Sequence, residues 1–320
     1  MNTHRMISRG VIAFALGVSA ASMAGNDKRL AYPNGVPTAD EIARQVYYTN
    51  HFYAFRNFSI PKTTGTSAIL ITRDETGDYT RTAVERYLNN NYDDDDSVVA
   101  RDLAVFLSGR LRGTGMLVTD YADDHKSQDY MIWLPALRKI RRFAEPAHDD
   151  AWGGSVFTFG DVSLREPKDE THELIGKKKF RSCLGVITEI ESQRHIYVGE
   201  TPQRSCRHVG KEVYGLKSTT KFENWWYDYR ISFVDTESFA DYRTVYFKNG
   251  EMIKVIDRDW GVVSHSGKND PRALFWKTWY GADLVNNRES WAIVPQNIIE
   301  FDTNKSNSFW TESTLRRLSQ

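Results

Sequence analysis

The side chains here that could do chemistry are scattered along the chain. His172-Glu173, His148-Asp149-Asp150 and His195 put imidazoles beside carboxylates, the pairing that general acid–base catalysis or a metal centre would use. None falls at a spacing that fixes such a site, and isolated histidines are ordinarily polar surface or satisfied core groups. The chain contains no G-x-S-x-G, H-E-x-x-H, P-loop or dinucleotide fingerprint. The run Asp93–Asp96 and the cluster Asp123-Asp124-His125 lack the alternating oxygen ligands and glycine turn of a calcium loop and read as solvated loops. Arg112-Gly113-Thr114-Gly115 is glycine-rich, but no helix pattern follows to offer amide donors to a phosphate. Its glycines suit a turn or bulge leading into Met116-Leu117-Val118. No catalytic residue, metal or cofactor is expected.

Two cysteines remain, Cys183 and Cys206. They suggest one disulfide in an oxidising compartment; free thiols or a zinc ligand pair are the alternatives, the latter without C-x-x-C spacing. The N-terminus points to such a compartment. Residues 1–10 carry Arg5 and Arg9 and no acid, Val11–Ala21 is apolar and small, and Ser22-Met23-Ala24 offers a small-x-small cleavage site. That is the signal-peptide pattern, with an apolar run too short to span a bilayer. Residues 1–24 are therefore expected to be removed and 25–320 to form a soluble, exported domain. The mature chain carries 40 cationic against 42 acidic side chains once Arg5 and Arg9 are gone. A near-neutral protein has no global field to attract nucleic acid. No later apolar run is long enough for a membrane-spanning helix.

Strands must position whatever site exists. One helix starts at Thr38, whose Glu41 three residues on makes a capping box, and Ile42/Val46 and Ala43/Tyr47 give it an apolar face. After it, residues 67–73 and 79–87 flank the turn Glu75-Thr76-Gly77-Asp78 as a hairpin. Further strands are expected at 99–107, 115–121, 129–134, 156–159, 184–190 and 195–198. The clearest alternation is Trp225, Tyr227, Tyr229, Ile231 and Phe233, a period-two aromatic face. Residues 243–248 and 251–257 flank Asn249-Gly250, a strong hairpin signal. A short helix from Phe309 to Leu318, capped by Ser308, closes the chain. There is no βαβ rhythm, so the fold class is mainly β: one curved antiparallel sheet, barrel-like, with a few helices. Phe, Trp and Tyr make up 13% of the chain. Those aromatics either pack a core or line a pocket for an apolar ligand, and the sequence does not separate the two.

The stretch MIWLPALRKIRRF, residues 131–143, crowds four cationic side chains into positions 138–142. Met131–Leu134 reads as a strand, Pro135 interrupts pairing, and Arg138, Lys139, Arg141 and Arg142 face outward. They form either a cationic rim for phosphate headgroups or an acidic partner, or a plain solvated face.

Several blocks resemble one family. Phe106-Leu107 with Leu111–Val118 is similar to the "F…GTGfLv" block of the LolA-like outer-membrane lipoprotein-sorting proteins. Trp133–Arg142 resembles their "W-LPal-k-rR" block, Gly154–Val162 their "GSdfsyeDl" segment, and Phe309–Arg317 their terminal helix. The blocks keep the family's order over most of the mature chain. The resemblance implies an incomplete antiparallel β-barrel with a helical lid around an apolar cavity. It also implies a periplasmic carrier of lipid or lipoprotein acyl chains, working with an RND-type inner-membrane exporter or an outer-membrane acceptor. Met116, Val118, Met131, Trp133, Phe157, Trp225, Tyr227, Tyr229 and Ile231 are then the expected cavity residues. An exported enzyme acting on an envelope substrate is the alternative reading.

Overall fold

The computed structural model describes residues 28–320 except 65, 93–94, 96, 124, 145, 164–165, 186–204, 264–266 and 268. The expected signal peptide, residues 186–190 of the strand expected at 184–190, and the strand expected at 195–198 lie outside the described residues. Among the described residues, three α-helices and fifteen strands follow in chain order. The first half holds α1 (Ala39–Asn50), β1 (Asn57–Ile60), β2 (Ala68–Arg73), β3 (Tyr79–Asn89), β4 (Val98–Phe106), β5 (Gly115–Tyr121), β6 (Asp129–Leu134), β7 (Lys139–Phe143) and α2 (Phe159–Val162). The second holds β8 (Glu170–Lys179), β9 (Glu212–Thr220), β10 (Tyr229–Asp235), β11 (Asp241–Lys248), β12 (Glu251–Val262), β13 (Leu274–Asp283), β14 (Arg288–Ile293), β15 (Glu300–Phe301) and α3 (Glu312–Ser319).

All pairings are antiparallel, and the strands form one sheet in the order β7-β6-β5-β4-β3-β2-β14-β13-β12-β11-β10-β9-β8, with β1 joining β3 to β15. Each half of the chain is a meander, and the β2–β14 seam welds the two. β7 and β8 stay at opposite ends, so the curved sheet is an unclosed barrel, as expected from the sequence. Asn249 and Gly250 both have positive φ, 52° and 81°, the requirement of the tight hairpin turn between β11 and β12.

The Thr38–Glu41 capping box forms, and α1 lays Ile42, Ala43 and Val46 against Tyr214, Leu216 and Val234 on the concave side of β9 and β10. On the convex side α3 packs Leu315, next to Trp310, against Leu103, Leu117 and Trp133. Gly115 makes this approach possible: a Cβ there would stand 2.7 Å from Leu315 Cδ1. Helix α3 starts at Glu312 with Thr311 in the cap position, three residues later than the sequence suggests, and Ser308 lies in a preceding 3₁₀ turn.

Two strand expectations fail. Residues 156–159 are not a strand, because Thr158 and Asp161 cap each other's backbone and turn the chain into α2. The aromatic alternation is strand only from Tyr229, so Trp225 and Tyr227 sit in the connection before β10.

Candidate functional site

Residues 151–163 form a strap across the concave face. Its hairpin closes through Trp152 N–H to Phe157 O at 2.8 Å, and Val156 N–H donates to Ser290 Oγ at 3.0 Å. Asp161 then accepts from Tyr246 Oη at 2.9 Å and pairs with Lys254, both charges buried. Burial alone would raise the Asp161 carboxyl, but the Lys254 charge and these hydrogen bonds outweigh it and hold it below the usual carboxylate range. Gly281 on β13 gives the strap its seat, since a Cβ there would stand 2.7 Å from Val156 and 2.8 Å from Phe157.

Between strap and sheet runs a cleft with two arms. The register puts Met116 and Val118 of β5 on the same face as Ala104 and Asp102 of β4, and Arg86 of β3 beside them. This arm is open to solvent, and His51, Asn50, Asn90, Asp120 and Tyr130 complete it. The second arm is apolar: Leu70 and Val84, Ala292 and Val294, Trp276 and Trp279, with Phe157 from the strap. Arg86, Trp152 and Val162 line both arms, so they meet at the guanidinium. Arg86 forks onto Asp102 at 3.0 and 2.7 Å and lies 5.7 Å from the Trp276 ring. Phe157 meets Trp279 edge to face at 5.5 Å. Burial holds the His51 imidazole neutral, its pKa lowered to about 4, despite the contact of Nδ1 with Tyr47 O at 3.0 Å.

Of the residues singled out from the sequence, Met116, Val118 and Phe157 line this cleft. Met131 and Trp133 do not. They pair with Leu117 and Gly115, which places them on the convex face under α3; a register one residue away would have reversed this. Tyr227 is buried and donates to Glu170 at 2.9 Å, with Trp225 packed beside it. Tyr229 and Ile231 lie on the convex face, opposite the Ser232 and Val234 that look toward α1; Tyr229 stacks on Phe247 at 4.8 Å. Arg138, Lys139, Arg141 and Arg142 are all exposed on the β6–β7 hairpin at the sheet edge. Cys183 and Cys206 are bridged, their Cα atoms 4.2 Å apart. His172 Nε2 donates to Pro167 O and Nδ1 accepts from Ser218, both at 2.9 Å, which satisfies the ring structurally. Among the described residues no group of three His, Cys, Asp or Glu is arranged to hold a metal.

Arg86, Asp102, His51, Trp276 and Trp279 escaped the sequence reading. Strand parity could have found the first two. Arg86 alternates with Val84 and Leu88, and Asp102 with Ala100 and Ala104, so each charge falls on an inward-facing row.

This architecture recurs in solved structures. A putative outer membrane lipoprotein-sorting protein domain from Vibrio parahaemolyticus superposes with a TM-score of 0.62 at 13% identity, covering 87% of this chain and 98% of that one. A DUF1329 family protein from Desulfovibrio piger gives 0.62 at 14% identity, with 88% and 100% covered. A LolA superfamily protein from Nitrosomonas europaea gives 0.51 at 11%, again with 88% and 100% covered. The protein has the LolA-like fold: an unclosed antiparallel barrel around a strapped concave cleft. No curated protein matches the chain. Residues 100–317, more than half of it, match the model of an "Uncharacterized protein"-like family, and the chain belongs to that family.

Proposed function

We propose that the protein is a periplasmic carrier that takes the acyl chain of a lipid or lipoprotein into the cleft and serves outer-membrane lipoprotein sorting or lipid transport. The observation that carries this reading is the apolar arm between the strap and strands β2, β13 and β14, whose lining has Arg86 as its one charged side chain among the described residues. A cleft of this apolar character suits a hydrocarbon chain, and each methylene moved from water into it gains about 0.8 kcal/mol. The LolA-like fold, the disulfide and the absence, among the described residues, of a helix long and apolar enough to cross a membrane are consistent with an exported carrier. The exposed basic hairpin is the surface for an RND-type exporter or an outer-membrane acceptor.

The test is displacement of a fluorescent fatty-acyl probe by extracted envelope lipids. Ala292→Trp fills the apolar arm and should abolish uptake in a folded protein. Tyr229→Asp, on the opposite face, should bind as wild type does. Wild-type protein that binds no probe, or an Ala292→Trp variant that binds it fully, refutes the carrier reading.

A further inference from the structure

Arg86 has a defined place on the concave face. Strand β1 sets Ile60 of the apolar arm beside it, and β4 sets Ala104 on its other side. Its guanidinium carbon lies 5.7 Å from the Trp276 ring, which lines the apolar arm, and 5.8 Å from the Phe58 ring. The carboxylate it forks onto, Asp102, belongs to the polar arm. The charged group therefore stands where the two arms join.

The fork leaves part of the guanidinium unused. Nε and Nη2 donate to Asp102 at 3.0 and 2.7 Å. Nη1 donates to no acceptor among the described residues, and in the planar group its N–H bonds point away from the edge that Asp102 occupies. Nη1 is also within reach of a ligand. The Arg86 side chain keeps 15% of its surface, Nη1 remains accessible, and Arg86 forms part of the wall of both arms. A guanidinium N–H in such a wall gains from any acceptor that a ligand brings.

Acyl ligands carry an acceptor at a fixed point. The carbonyl of an ester or amide is where polar head meets hydrocarbon, and Arg86 is where polar arm meets apolar arm. The geometry points to Arg86 as a specificity-determining residue: Nη1 donates to the acyl carbonyl of the bound lipid or lipoprotein, and the chain runs on between Leu70, Ala292 and Trp279. This rests on the carrier reading above and names the linkage that the cleft reads. Asp102 holds the fork in place and balances its charge, so a neutral carbonyl suffices. A chain joined to its head through an ether has the same hydrocarbon and no carbonyl for Nη1.

The experiment compares 1-dodecanoylglycerol, its amide-linked analogue and 1-dodecylglycerol ether as competitors of a fluorescent fatty-acyl probe. The ether replaces the carbonyl with a methylene, so burial alone would favour it. The ester or the amide, whichever linkage the cleft prefers, should displace the probe at a concentration at least ~10-fold lower than the ether, the order of effect expected for a hydrogen bond to a charged group. Arg86→Met/Asp102→Leu removes both charges together, so that neither is stranded. Arg86→Lys keeps a cation beside Asp102 but has no counterpart of Nη1. In each of these variants that folds, the ratio of carbonyl compound to ether should collapse toward equal displacement. An ether that competes as well as both carbonyl compounds in wild type, or an unchanged ratio in a folded variant, overturns the role of Arg86 and leaves the carrier reading standing. A wild-type protein that binds no probe and none of the three overturns both.

Discussion

Asp161 and Lys254 are 93 residues apart in the chain, and their side chains form an ion pair that is buried on both sides. One belongs to the strap and the other to the middle of the sheet, so this pair sets how far the strap stands from the concave face. Removing one member strands the other charge away from water, which costs about 3–5 kcal/mol. Lys254→Met and Asp161→Asn should each lower stability on that scale in urea unfolding. The double variant should recover part of the loss, since neither charge is then left alone. Single variants within about 0.5 kcal/mol of wild type would mean that the strap is held by its other contacts.

Acidification should loosen the same region through His51. Its folded pKa of about 4 lies below the ordinary 6.5, so the unfolded chain takes up the proton first as pH falls. The stability contributed by the neutral ring is complete above about pH 6.5 and drains away toward pH 4, by about 3 kcal/mol at most. His172, lowered by burial, acts in the same direction. Unfolding free energies measured from pH 7.5 to 4 should fall, and the fall should be shallower in His51→Gln. An identical slope in the variant would remove His51 from the account.

The cysteine bridge closes a separation of 23 residues. Its base is tied to the convex face by Arg243 to Cys183 O at 3.0 Å and by Gly185 N–H to Asp257 at 2.7 Å. Chain-entropy arithmetic gives roughly 3 kcal/mol for such a loop. Unfolded, unreduced protein should therefore contain no free thiol, and Cys183→Ser/Cys206→Ser should unfold at lower denaturant concentration with acyl-probe affinity unchanged. A variant that folds with wild-type stability but loses the probe would reassign the bridge to the site.

The fold was largely legible because hairpin signals are local: Asn249-Gly250 and the Glu75–Asp78 turn each join strands where expected. The Thr38 cap is equally local. The site was less so, since which face of a strand looks inward depends on its register with neighbours. Met116 and Val118 face the cleft, while Met131 and Trp133 pair through Leu117 and Gly115 and therefore turn outward. Tyr229 and Ile231 are turned outward for a related reason: the inner row of β10 is Arg230, Ser232 and Val234, where Arg230 pairs with Glu170 and Val234 packs under α1. An apolar pattern marks a face and leaves open which face the curved sheet encloses.

The basic hairpin remains a surface to be tested. Changing Arg138, Lys139, Arg141 and Arg142 together to Gln should leave the fold intact, as exposed substitutions usually stay within about 0.5 kcal/mol each. Sedimentation with anionic vesicles in low salt, where such contacts are least screened, should show weaker binding by the variant. Equal binding would reduce the hairpin to a solvated edge.

The central claim is that a hydrocarbon chain lies on the concave face under the strap. The most direct measurement is photo-crosslinking with a diazirine-bearing fatty acid, followed by mapping of the labelled peptides. The account predicts saturable labelling at Leu70, Phe157, Trp279 and Val294, competed by unlabelled lipid and absent in Ala292→Trp. Labelling confined to the convex stripe of Tyr229, Ile231 and Phe247, or labelling that does not saturate, would contradict it.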